Sequence, residues 1–216
     1  ELNAYTTKEE TMLYSIFPSG NLNRAIDLIA DLVTSSQFPS AELDKEREVV
    51  ADEINSYLDS PSEAIFDDFE DLMFEGSSLG HNILGNTTTI ATFTSEVCRQ
   101  YLARYYTGPN MVFFYMGSEP PSKVFKIAEK HFGSLSNQLA PINRVIPSKV
   151  ATFDIKRDLG NHQCHTIMGS RIEGMYSEQR YPTALFTNIV GGPGMNSLLN
   201  ISLRERRGLV YTVEAS

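Results

Sequence analysis

The sequence has 216 residues, 41% hydrophobic and 21% charged, the make-up of a globular chain with one large domain or two small ones. Its formal net charge of −9 and scattered basic residues leave no cationic stripe to neutralise phosphates, which argues against nucleic-acid binding. No apolar run approaches the roughly 18 residues of a membrane span, and the isolated Cys98 and Cys164 argue against a disulfide framework or a thiolate zinc site.

The chain opens on Glu1-Leu-Asn-Ala-Tyr-Thr, which reads as mid-strand and carries neither a starting Met nor a signal pattern. The natural N-terminus is therefore expected upstream. Residues 1–17 predict two strands joined around Lys8, Glu9 and Glu10, with Leu2, Ala4 and Thr6 on one face. Leu22, Ala25, Ile26, Ile29, Ala30 and Val33 have helical spacing, so 21–34 is predicted helical. Pro39 and Ser40 open a longer helix with Glu42 and Asp44 in its first turn and an apolar stripe of Leu43, Val50, Ile54, Tyr57 and Leu58. Ser60, Pro61 and Glu63 have the arrangement of a capping box that starts the next helix.

Residues 76–85 read as a glycine-punctuated loop and 95–106 as a helix. Met111–Gly117, nearly all apolar, suits a buried strand. A helix is predicted over 121–132, and the polar stretch 134–150, with Pro141 and Pro147, reads as a linker. Beyond it the pattern predicts strands at Gln163–Gly169 and Leu209–Val213 and helices over 180–190 and 196–206. Alternating strands and helices give an α/β or α+β class, a helix layer on a sheet.

Four features could carry chemistry. Glu46 and Glu53 are seven positions apart on the long helix, close to two turns, so both project from one face beside the apolar stripe. A carboxylate at such a border can be semi-buried and oriented as a metal ligand, or can simply belong to a solvated flank beside Lys45 and Arg47. His162 and His165 have loose metal-like spacing, but in extended structure positions i and i+3 point to opposite faces, and neither HExxH nor HxxEH occurs. The cluster Gly191-Gly-Pro-Gly194 lacks the lysine of a phosphate loop and reads as a turn between helices. Arg204 and Tyr211, also seven apart, could donate to a carbonyl and steady an oxyanion. They could equally be a basic helix end stopped by Gly208.

Taken in order, Glu1-Leu-Asn-Ala-Tyr-Thr, Glu46-Arg-Glu-Val-Val-Ala-Asp-Glu53, Tyr105-Tyr-Thr-Gly-Pro-Asn-Met-Val, Lys130-His-Phe-Gly133, Gly191-Gly192 and Leu203 through Tyr211 resemble the pitrilysin/insulinase (M16) zinc metallopeptidases over nearly the whole chain. The resemblance implies an α+β fold, the family's α/β roll, built from two related sub-units that are each a mostly antiparallel sheet covered by helices. Residues 1–133 would hold the end of the first, zinc-glutamate-bearing sub-unit and the start of the second, 134–150 the link, and 151–216 a truncated second segment.

In such peptidases an upstream helix bears HxxEH, which supplies two zinc histidines and the general base. This chain lacks that motif, so the resemblance implies Zn2+ in the full-length protein and an inactive, weakly zinc-binding chain on its own. Glu53 matches the third zinc ligand and Glu46 a helper carboxylate. Leu2, Asn3, Ala4 and Tyr5 match the strand that binds substrate by strand addition. Arg204 and Tyr211 match a pair that reaches the substrate from the facing half of a clamshell, serving either this chain's zinc site or another chain's. The implied partners are a peptide or unfolded-protein substrate and a second M16-like half or a homodimer, with no nucleic acid and no membrane span. The rival expectations are a non-catalytic M16-like subunit that binds peptides or scaffolds a catalytic partner, and an unrelated α/β binding domain.

Overall fold

The computed structural model describes residues 1–148 and 151–216. They form two compact units, Glu1–Ile167 and Met168–Ser216. The first unit opens with a hairpin, β1 (Leu2–Thr6) and β2 (Thr11–Ser15), paired antiparallel with Ala4 opposite Leu13 and Tyr5 opposite Met12. Five α-helices follow from Leu22 on: α1 (Leu22–Thr34), α2 (Ser40–Leu58), α3 (Pro61–Met73), the single turn α4 (Thr87–Ile90) and α5 (Ser95–Tyr105). A 3-10 turn at Gly108–Asn110 and α6 (Pro121–Phe132) complete it.

α1 is strongly amphipathic, and its buried Leu22, Ala25, Ile26, Ala30 and Val33 repeat the spacing seen in the sequence. Leu22 and Ile26 meet Val124 of α6, with Phe17, Tyr115, Ile127 and Phe132 packed around them. Each such buried aliphatic side chain contributes about 1.5–3 kcal/mol. The core of this unit therefore sits between α1 and α6, and the hairpin rests on α1 through β2, whose Leu13, Tyr14 and Ser15 are half-buried.

α2 begins after Phe38, whose backbone takes a positive φ of 51°, and Pro39. It runs unbroken for 19 residues and buries Ile54. α3 starts at Pro61 as expected, but the capping box does not form. Ser60 makes no side-chain cap, and its hydroxyl lies 3.4 Å from that of Ser62. Real side-chain caps occur at α4, where Asn86 Oδ1 accepts the Thr88 and Thr89 amides, and at α5, where Thr94 Oγ1 accepts that of Val97.

Three predicted strands are absent from the described residues. Met111–Met116 is extended but joins no ladder. Its alternate residues Phe113 and Tyr115 pack toward Phe132 and the α1/α6 core, while Val112 (94%), Phe114 (80%) and Met116 (86%) stand exposed. The alternation is that of a strand with one covered face, so the expectation of a fully buried strand was wrong about the second face. Gln163–Gly169 and Leu209–Val213 likewise form no ladder. Local apolar pattern gives extended backbone; pairing needs a partner that the local pattern does not specify.

The second unit contains α7 (Arg180–Gly191), a turn through Gly192, Pro193 and Gly194, and a helical segment whose Asn200–Glu205 portion is π-helical. Gly191 is required by close approach: a Cβ there would lie 2.7 Å from the Ala215 nitrogen, whose N–H donates to the Gly191 carbonyl at 2.8 Å.

Candidate active site

The hairpin has two unpaired outer edges among the described residues, and that of β1 is the more exposed. Glu1 and Ile16 exchange backbone hydrogen bonds at 2.9 and 3.0 Å, and the Thr7 amide donates to the Glu10 carbonyl at 2.8 Å. Antiparallel pairing alternates, so the backbone groups of Asn3 and Tyr5 face β2 and those of Leu2, Ala4 and Thr6 face away from it. All five residues of β1 are exposed, and no second strand pairs with it among the described residues. The Ala4 amide donates to Asn3 Oδ1 at 2.8 Å, so one outward donor is already occupied by a neighbouring side chain. Tyr5 stacks obliquely on Tyr14, with ring centroids 6.4 Å apart, and its hydroxyl lies 3.4 Å from Glu10 Oε1.

Glu46 and Glu53 lie on the single helix α2, about 10.5 Å apart along its axis and nearly superposed in projection. Both are exposed, not semi-buried at the border of the apolar stripe. Earlier acids of the helix are tied up locally, Glu42 to Lys45 at 2.9 Å and Asp44 to Arg47 at 2.6 Å. Glu46 and Glu53 have no hydrogen-bond or ion-pair partner among the described residues; the same holds for Glu48 and Asp52, so freedom from pairing alone does not single out the two.

Arg204 and Tyr211 belong to the second unit and do not share a helix face. The π-helical stretch ends at Glu205, and Gly208, at φ 60°, turns the chain out of it. The Gly208 and Leu209 amides close the end on the carbonyls of Arg204 and Leu203, at 3.0 and 2.9 Å. Arg204 Nε lies 4.0 Å from Glu205, and the Tyr211 ring is 91% exposed. His162 is exposed and His165 half-buried, and no group of three or more His, Cys, Asp or Glu side chains converges among the described residues.

A polar network that the sequence did not suggest joins the hairpin to α3. Lys8 lies 3.1 Å from Glu70 and 4.0 Å from Asp67 and donates to the His81 carbonyl. Asp67 also accepts from Asn82 Nδ2 at 2.7 Å. Burial pushes the Asp67 carboxyl above its ordinary range, with the Lys8 charge opposing. Burial and then the Asp67 charge push the Tyr57 phenol up. A separate concavity of about 400 Å³, lined by Val33, Arg99, Leu102, Tyr106 and Leu135 among others, includes none of the candidate residues.

Two family models divide the chain between them: insulinase (peptidase family M16) matches residues 1–87, and the peptidase M16 inactive domain matches residues 92–216. This chain belongs to peptidase family M16. It is 33% identical to an uncharacterized zinc protease of Bacillus subtilis over 99% of its own length and 51% of that protein's. Among solved structures it is similar to a protease from Helicobacter pylori, at TM-score 0.79 and 19% identity over 100% of this chain and 55% of that one. A peptidase M16 inactive domain from Pseudomonas fluorescens gives TM-score 0.81 and 18% identity over 99% and 52%. These likenesses show the M16 peptidase fold, an α+β architecture. The chain spans about half the length of the curated relatives it matches. No helix among the described residues is long and apolar enough to cross a membrane.

Proposed function

We propose that this chain is part of a zinc-dependent endopeptidase that hydrolyses peptides held by strand addition in a clamshell chamber. Residues 1–133 would complete the zinc-glutamate-bearing sub-unit and begin the second, 134–150 would link them, and 151–216 would belong to the second. The peptide lies along the open edge of β1, taking hydrogen bonds from the outward backbone of Leu2 and Ala4, while Asn3 and Tyr5 shape the edge. The Ala4 amide becomes available only when Asn3 Oδ1 gives it up. Backbone bonding of this kind gives affinity with little demand on substrate sequence, which suits peptides and unfolded proteins.

The residues present fit zinc as the source of one oxygen ligand. Glu53 is an exposed carboxylate on a rigid helix, and with no convergent donor cluster among the described residues the other ligands would come from elsewhere in the full-length protein. A zinc ion held there supplies Lewis acidity toward the scissile carbonyl. Glu46, two turns earlier on the same face, orients the site without touching the metal. Arg204 and Tyr211 donate to the substrate carbonyl from whichever half faces the zinc. On its own the chain binds zinc weakly and cleaves nothing.

The observation that supports this reading most is that Glu46 and Glu53 project from one face of an uninterrupted helix in a stretch that matches the insulinase model. The test is zinc content of the full-length protein and its Glu53→Gln variant. About one zinc per chain, largely lost in the variant, is expected; equal zinc in both would remove Glu53 from the ligand set. A second reading, a non-catalytic M16-like half that binds peptides or scaffolds a catalytic partner, is favoured by the match of residues 92–216 to the inactive-domain model. It predicts no zinc in either form.

A further inference from the structure

The hairpin that carries β1 has a weak apolar anchor. Every residue of β1 is exposed, and the hairpin rests on α1 chiefly through β2. Its turn, however, carries a lysine that behaves unlike a surface lysine. The Lys8 side chain is only 22% exposed, and its ammonium donates to the His81 carbonyl and forms ion pairs with Glu70 at 3.1 Å and Asp67 at 4.0 Å. α3, which carries Asp67, packs against α2, and the Asp67 charge acts on the Tyr57 phenol. Tyr57 is four positions after Glu53 on α2, one helical turn away. Ion pairs from the tip of the hairpin to α3, and the packing of α3 on α2, therefore connect the hairpin to the helix that carries Glu53.

We propose that Lys8 is a positioning residue: by clamping the hairpin turn to Asp67 and Glu70 it fixes the β1 edge relative to Glu53, so that a peptide on that edge is presented at a set distance from the metal. This rests on the reading of β1 as the substrate strand and Glu53 as a zinc ligand. Strand addition itself needs only the local edge, so a loosened clamp leaves peptide binding nearly intact and degrades the alignment of the scissile bond. Misplacement of about 1 Å costs on the order of a hundredfold in rate.

The experiment uses the zinc-loaded full-length protein and an internally quenched ten-residue peptide. Lys8→Met is expected to lower kcat by about tenfold to a hundredfold with KM within about twofold and zinc content unchanged. Lys8→Arg should restore much of the rate, since a cation able to pair with both acids is kept. Glu70→Gln, which preserves shape, should reproduce part of the loss if Lys8→Met fails to fold. Nitroxide labels at Thr6→Cys and Ser56→Cys in a cysteine-free background should give a narrow distance distribution that broadens in Lys8→Met. An unchanged kcat with an unchanged distribution, or a loss confined to KM, would overturn the clamp. A peptide with alternate backbone amides N-methylated separates the two levels. Cleavage equal to that of the unmodified peptide would overturn strand addition and the clamp with it. Sensitivity to N-methylation, combined with indifference to Lys8→Met, would overturn the clamp alone.

Discussion

Glu46/Glu53 and Arg204/Tyr211 are the same distance apart in sequence, yet the structure treats them in opposite ways. The first pair lies within one regular helix, where seven residues return nearly to the same face. The second pair straddles a helix end. The backbone from Asn200 to Glu205 is π-helical, Gly208 reverses the handedness of the chain, and Tyr211 projects into solvent. A spacing carries geometric meaning only while the element that gives it a period continues. α2 has that continuity because Ser40–Leu58 contains neither Gly nor Pro and carries four Glu, two Ala and two Leu, good helix formers. The later segment ends at a glycine whose positive φ any other residue would resist.

The largest effect on this contrast should come from breaking α2. Val50→Pro, between the two carboxylates, removes a helical hydrogen bond and costs about 3 kcal/mol or more. In the full-length protein it should lower zinc content as far as Glu53→Gln does. Retention of full zinc would mean that helix continuity is irrelevant to the ligand. A smaller effect is expected at the other pair. Gly208→Ala places a Cβ in the left-handed region and should cost about 1–2 kcal/mol by denaturant titration. If it cost nothing, the helix stop would not depend on glycine.

The sequence was most informative where structure is local. The periods of α1, α2, α5 and α6 were legible because each helix is determined by residues within a turn or two of one another. The hairpin was legible for the same reason, its partner strand being only a turn away. Met111–Met116 has as strong an apolar signature, but a ladder depends on which distant segment lies alongside, and the run shows only its alternation. At the candidate site, Glu46 and Glu53 could be placed on one face from numbering alone. Their exposure could not, since it depends on what packs against α2. Lys8 gave no signal, because a lysine in an acidic turn looks like ordinary surface until Asp67 and Glu70 are brought to it by the fold.

The smallest expected effect tests that half-buried network by pH. Asp67 has a folded-state pKa raised by burial, so the folded chain takes up its proton more readily than the unfolded chain does. Stability therefore increases as pH falls through the interval from the raised value to the usual 3.8, and the ionised form costs stability above it. Asp67→Asn has no such proton to take up. Wild type should gain stability relative to the variant as pH is lowered from about 7 toward 4 in thermal melts. A difference independent of pH would show that Asp67 titrates alike in both states.

The contact between the Ala4 amide and Asn3 Oδ1 also bears on how the protein behaves at high concentration. An exposed strand with an unpaired edge is a template for another copy of itself, and proteins blunt such edges to stay dispersed. Here a neighbouring side chain withdraws one central donor from the row, so two β1 edges that meet face a missing rung in the middle of the ladder they would build. Asn3 thus acts as a guard against self-association. Exchanging it for an aliphatic residue should make the protein prone to aggregate with its fold unchanged.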